Sequence, residues 1–594
     1  MSCGTGQPMR HTRGMKVKMH AKALLWASVL VLLAACGGGG GGGSASSSTP
    51  PPVDTGTPLG PGESAFTDTL AYSTAAKASL AAAADGAAVT RHTIMVSGKS
   101  LAYTATAGHL IATAQGTAAP EASMFYVAYT LDGADATTRP VTFFYNGGPG
   151  SATAWLHLGS FGPRRLATGI PATTAATPFP LVDNADSLLD TSDLVFVDAV
   201  GTGLSQAIAP NSNQSFWGVD ADAGVMRDFV MRWLAVNHRA ASPLFLYGES
   251  YGGPRTAVLA RALQAAGVQL TGLVLQSPAL DYNSNCGVTG QGSCGANLPS
   301  YAAVGSWHQL TTPAQADLPA YMVQMRSFSD QNYGPAVAAF LGGAAVPADQ
   351  PPLLAAYTGI PAATWSSHFN LSIGDFQTLL LPGRITGLYD GRMTAAVGSA
   401  LASQGDPSST FLNSSFSTRI GSYLQGELRY TNASTYVLLS GAINTWDFRH
   451  AGRALPDTVP DLAAVLASDP RLAIHVISGY HDLVTPFHVT ETDLARLGSP
   501  ARVQVHNYNG GHMSYLDDGT RPVQKADLVA WYAQRLAARA APSAEGPSAR
   551  ALAATPHQAA LRVGAVPSQP QPAMAQAALQ VPMRDPWVPP GKRP

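Results

Sequence analysis

The chain is 594 residues long, carries a formal net charge of −1 at pH 7, and has only 12% charged residues. Its length is compatible with several domains or with one large domain bearing insertions. The near-neutral balance argues against a nucleic-acid surface and against a charged tail that recruits a partner.

Taken in chain order, the first informative segment is basic. Arg10, Arg13, Lys16, Lys18 and Lys22 precede an apolar run over 23–35 that is too short to span a membrane comfortably, the pattern of an export signal. The run ends Leu33-Ala34-Ala35-Cys36, which resembles the lipobox of bacterial lipoproteins. That resemblance implies cleavage before Cys36 and lipidation of its thiol, with the lipid as the chain's membrane contact. Gly37 rather than aspartate follows, which implies a periplasmic or cell-surface location with the outer membrane favoured. A glycine run over 37–43 and a Ser/Thr/Pro-rich stretch to 61 cannot bury a core and are expected to act as a tether.

Alternating apolar patches between 89 and 129 predict antiparallel strands. A continuous apolar run over 140–145, of the kind buried on both sheet faces, then leads into Asn146-Gly-Gly-Pro-Gly150. Strand and helix alternate from 193 onward, with a helix predicted over 221–235, a strand that opens at Leu244 and runs into the Gly248–Gly252 turn, a helix over 254–264 and a strand at 273–277. This order predicts a mainly parallel sheet. Alternation stops over 281–435, which reads as a helical insertion over the site. Strand patterns resume weakly at 436–440 and clearly at 472–477 and 503–508, and an amphipathic helix over 523–538 closes the domain. The expected division is therefore a signal (1–35), a tether (36–61), a core in two parts (62–280 and 436–540) around a cap (281–435), and a low-complexity tail (541–594).

The segment Gly248-Glu-Ser-Tyr-Gly252 sits at the predicted strand-to-helix junction, where a sharp turn pushes the Ser250 hydroxyl out above the sheet. This is the nucleophile elbow of the α/β-hydrolase fold, with a mostly parallel central sheet and a cap. A serine hydroxyl needs a histidine to take its proton and a carboxylate to orient that histidine. In this fold the order is serine, acid, histidine. Asp482 follows the strand at 472–477, and His512 lies in a glycine-flanked loop after the last strand. His506, inside a strand, and His481, next to the acid, are assigned structural or surface roles.

Four segments, Asn146-Gly-Gly-Pro-Gly150, Gly248-Glu-Ser-Tyr-Gly-Gly253, Ser478-Gly-Tyr-His-Asp482 and Gly510-Gly-His-Met513, together resemble the serine carboxypeptidases in motif and in order. The resemblance implies an oxyanion hole from the N–H groups of Gly148 and Tyr251. It implies that Asn146, Gly147 and Glu249 bind the terminal carboxylate of a peptide substrate, and that Met513 lines the pocket for its last side chain. A second family acid is replaced by Ser160, and the tryptophan usual before Asn-Gly-Gly by Phe144. The expected reaction is release of C-terminal residues through an acyl-enzyme on Ser250, with ester hydrolysis or acyl transfer as the alternative. No cofactor is expected. No metal-ligand pattern is present, and Cys286 with Cys294 reads as a local disulfide in an oxidising compartment.

Overall fold

The computed structural model describes residues 59–286, 292–498 and 501–540. The export signal, Cys36, all but the last residues of the tether, and the 541–594 tail lie outside the described residues. Ten strands form the central sheet: β1 (Gly86–Val96), β2 (Lys99–Thr113), β3 (Pro120–Leu131), β4 (Val141–Tyr145), β5 (Asp193–Val197), β6 (Gln206–Ala207), β7 (Leu244–Glu249), β8 (Gly272–Gln276), β9 (Ala473–Gly479) and β10 (Val503–Tyr508). Their spatial order is β10-β9-β8-β7-β4-β5-β3-β2-β1, with β6 beside β3. Neighbours from β10 to β5 are parallel, and the β5, β3, β2 and β1 pairings are antiparallel. Ser97 and Gly98, both at positive φ, close the two-residue hairpin between β1 and β2.

The apolar runs are continuous because both faces of the sheet are covered. Phe143 and Tyr145 of β4 point into one cluster with α2 (Val219–Val236) and α3 (Gly252–Ala265), whereas Phe144 points into the other. That second face is covered by α1 (Ala154–Gly159) and by the helices Pro407–Gly426 and Arg521–Ala540. Period-two alternation within a mostly apolar strand thus feeds two cores at once.

Between β8 and β9 the chain forms α4 (Leu298–Trp307), α5 (Leu318–Phe328), α6 (Gly334–Leu341), α7 (Gln350–Thr358), α8 (Ala362–Ser367) and α9 (Ile373–Leu379). They pack around a core of their own that includes Leu298, Tyr301, Trp365, Phe369 and Phe376. Leu483, from the loop after β9, is buried in this cluster too. Arg326 and Asp330 of the insertion pair with Glu491 and His488 on the helix Phe487–Ala495.

Two expectations need adjustment. The segment read as one insertion over 281–435 divides, because α10 (Pro407–Gly426) buries Phe411, Phe416, Ile420 and Tyr423 against the sheet rather than in the insertion's core. The strand expected at 436–440 is a pair of isolated bridges, Gly203 to Val437 and Ser151 to Leu439. Its alternation is genuine, with Tyr436 and Leu438 buried and Leu439 exposed, but its backbone partners are two loops.

Candidate active site

Parallel register brings the carboxyl ends of five strands to one edge. Tyr145 lies opposite Gly248, Glu249 opposite Gln276, Gln276 opposite Ile477, and Gly479 opposite Tyr508. The loops that follow β4, β7, β9 and β10 must therefore meet there, the usual place for a site in an open α/β sheet. Ser250 sits between β7 and α3 at φ 61°, a left-handed conformation costing about 1–3 kcal/mol in a residue with a side chain. Neighbouring bonds impose it. The Ser250 N–H donates to Gln276 O at 2.9 Å, and a Cβ at position 248 would lie 2.2 Å from Gly252 O, so the turn admits only glycine there.

Asp482 and His512 meet at this edge. The Nδ1–H of His512 donates to Oδ2 of Asp482 at 2.8 Å, with both residues buried. The other carboxylate oxygen of Asp482 accepts from the N–H groups of Val484 and Thr485, at 2.8 and 3.0 Å. The carboxylate is thus held by backbone as well as by the ring. The main chain of His512 is fixed in turn, its N–H donating to Tyr389 O at 2.6 Å and its carbonyl accepting from Ser277 Oγ at 2.7 Å. The edge of the Tyr389 ring meets the imidazole at 5.1 Å. With Nδ1 occupied as donor, Nε2 is the basic nitrogen, and it is buried without a hydrogen-bond partner. Burial works against charging His512, but Asp482 and Glu249 outweigh it and its pKa is raised. The bond to the Ser250 hydroxyl is not closed here, as is common where no substrate is bound.

Beneath the serine, Gly147 packs against the elbow so closely that a Cβ on it would lie 2.4 Å from Tyr251 N. Among the described residues the N–H groups of Gly148 and Tyr251 donate to no backbone carbonyl. Asn146 is buried and rigidly placed, accepting from Leu156 N at 3.0 Å and donating through Nδ2 to Oε1 of Glu249 at 2.7 Å. Oε2 of Glu249 has no partner. Burial pushes the Glu249 carboxyl up to about 7, against the pull of His512, Tyr515 and Asn146. Met513 is buried beside His512 in the cluster that holds Phe144. Ser160 ends α1 with its hydroxyl donating to Leu156 O at 2.6 Å, its hydrogen spent inside its own helix. His481 is buried, while His506 is partly exposed and stacks on His475. Cys286 and Cys294 are bonded, with Cα atoms 5.3 Å apart.

The structure adds residues that no local motif marks. Arg255, fully buried in α3, pairs with Asp222 of α2 at 2.6 Å and donates through Nη1 to the carbonyl of Asn146. Its guanidinium lies over the Tyr145 and Tyr251 rings. Trp446 Nε1 donates to the Tyr251 hydroxyl at 3.1 Å. Thr485 Oγ1 lies 2.7 Å from Oδ2 of Asp482. A charge on a helix face otherwise apolar was the available sign for Arg255; the others have none. Among the described residues no cluster of side chains could hold a metal ion.

Residues 97–322 match the family model of the serine carboxypeptidases. Over those residues the chain is similar to the serine carboxypeptidases. It is a serine hydrolase of the α/β-hydrolase fold, and the match covers the elbow and the Asn146 loop. No curated protein matches the chain. Among solved structures it is similar to the Kex1(delta)p prohormone-processing carboxypeptidase of Saccharomyces cerevisiae, at 15% identity and TM-score 0.46 over 73% of this chain and 91% of that one. It is also similar to proline iminopeptidase of Mycobacterium smegmatis, at 14% identity and TM-score 0.29 over 76% and 100%. A thermophilic esterase of Thermogutta terrifontis aligns at 13% identity and TM-score 0.30 over 72% and 98%. Such distant overlaps decide nothing about chemistry, so the reading of the site rests on its own geometry.

Proposed function

We propose that the enzyme removes C-terminal amino acids from peptides through an acyl-enzyme on Ser250. Nε2 of His512 takes the hydroxyl proton as Ser250 attacks the last peptide carbonyl, and Asp482 holds the ring and stabilises the imidazolium. The N–H groups of Gly148 and Tyr251 receive the charge that develops on the carbonyl oxygen; one such donor is typically worth about 3–4 kcal/mol. His512 then protonates the leaving amine, and water repeats the sequence to release the acyl group.

The observation that carries the exopeptidase reading is the buried Asn146–Glu249 pair beside the nucleophile. A carboxyl kept neutral up to about pH 7 can donate a hydrogen bond to a substrate carboxylate, which an ionised one would repel. The sign follows directly. Below this pKa Glu249 is protonated and binds; above it, KM for a blocked dipeptide should rise about tenfold per pH unit. The matching C-terminal amide bears no charge and should show a flat KM. Turnover of both needs neutral His512 and so falls on the acid side. Glu249→Gln should flatten the peptide profile. Parallel KM profiles for peptide and amide in the wild type would instead favour the esterase reading.

The same proposal places the enzyme outside the cytoplasm on a lipid at Cys36. The basic segment, the apolar run and the glycine tether support this together. Cys36→Ser should release the protein from membranes or stall its processing, read by fractionation and N-terminal mass spectrometry. An unmodified N-terminus downstream of Cys36 in the wild type would contradict it. None of the described helices is long and apolar enough to cross a membrane.

A further inference from the structure

Among the described residues, Nε2 of His512, Oε2 of Glu249 and the hydroxyl of Tyr515 are buried around the Asn146–Glu249 pair without a hydrogen-bond partner. The reaction accounts for the first and carboxylate binding for the second. The third is unexplained, and a fully buried hydroxyl without a partner costs free energy unless a ligand or a change of charge employs it.

Its surroundings show what that employment is. The position that matches the family's second acid is Ser160, whose hydroxyl is committed to Leu156 O. One residue earlier, a Cβ on Gly159 would lie 3.0 Å from Cε2 of Tyr515, so the absence of a side chain at 159 is what admits the tyrosine ring against α1. The same helix supplies the Leu156 N–H that fixes Asn146. The Tyr515 hydroxyl thereby faces the Glu249 carboxyl and the Asn146 amide. Neither contact closes to hydrogen-bond geometry in this structure.

We propose that Tyr515 is a positioning residue for substrate-carboxylate recognition, its hydroxyl donating to Glu249 in the space left by the small residues Gly159 and Ser160. This deepens the exopeptidase reading and rests on it. A second carboxyl would share a proton with Glu249 and itself ionise, adding a repulsive charge. A phenol does neither. Burial and the Glu249 charge hold its pKa well above the ordinary tyrosine value, so it is a donor throughout the working range. The groups that face Glu249 are His512, Asp482, Asn146, Tyr247 and Tyr515. Of these, Tyr247 gives its hydroxyl to Gln276 Oε1 at 3.3 Å, which leaves Tyr515 as the uncharged hydroxyl free to move the Glu249 equilibrium without touching the base.

The test is the pH at which KM for a blocked dipeptide begins to rise. A donor favours the ionised carboxylate, so Tyr515→Phe should let Glu249 stay neutral longer and move that point up by about one pH unit, the size of a single hydrogen bond to a charged group. Site-specific fluorotyrosine at 515, a stronger donor, should move it down. The amide should show no such inflection in any variant. An inflection that stays at the wild-type pH in both variants overturns the proposal, as does a shift of the same sign in both. Should Tyr515→Phe not fold, the direction of the fluorotyrosine shift decides. Glu249→Gln separates the two readings. If it flattens the peptide profile while the Tyr515 variants leave the inflection in place, Tyr515 is excluded and carboxylate reading by Glu249 stands; if it changes nothing, both fall together.

Discussion

Ser250→Ala and His512→Ala are each expected to lower kcat by roughly 10⁶-fold, and the double variant by little more, because nucleophile and base act as one unit. The hydroxyl without the imidazole is a weak nucleophile at neutral pH, and the imidazole without the hydroxyl has no proton to take. Asp482→Asn should cost less, about 10⁴-fold, by presenting the wrong tautomer to a site whose geometry is otherwise intact. The Val484 and Thr485 amides will still hold the side chain at 482. Active-site titration with a slowly released acyl ester reads all three: no acyl-enzyme burst in the serine variant, a slow one in the aspartate variant. A full burst from Ser250→Ala would place the nucleophile elsewhere.

Arg255→Met is expected to be the most destabilising single change near the site, by about 3–5 kcal/mol, because it strands the Asp222 carboxylate in a dry interior. Arg255→Met with Asp222→Leu should recover most of that loss, since two apolar residues leave no unpaired charge behind. The denaturation midpoint distinguishes the two variants. Recovered stability should not bring back full activity, because the pair also has a positional duty: Arg255 donates to the carbonyl of Asn146, the residue that precedes the Gly147–Gly148 turn and bonds Glu249. The double variant should therefore fold and bind free-carboxylate peptides weakly. A double variant as unstable as the single one would show that the cost lies in packing against Tyr145 and Tyr251 rather than in the stranded charge.

What could be read along the chain was whatever a short stretch of backbone decides for itself. The mostly apolar runs of β4, β7 and β8, the glycines that let the elbow turn, and the glycine-flanked loop of His512 are local features, and each announces both an element and its place on the sheet. The order serine, acid, histidine then follows from topology. Partnerships across elements were not legible in the same way. Asp222 and Arg255 meet because α2 and α3 lie side by side on one face, and nothing in either helix names the other. Tyr515 three residues after His512 looks like any core aromatic until the missing side chain at Gly159 is seen against it. The insertion was over-extended to 435 for a related reason: α10 has the same helical pattern whether it packs on the sheet or on α4 to α9, and only its contacts decide.

Leu483 ties the insertion to the loop that carries Asp482. It is the next residue after Asp482, and its side chain is buried in the core that α4 to α9 build around Trp365 and Phe369. The insertion is therefore fastened to the residue that directly follows the acid of the triad. A graft that replaced these helices with a relative's would have to reproduce the Leu483 socket, or it would alter turnover along with preference. The insertion is not a module that can be exchanged with the acid-bearing loop held constant.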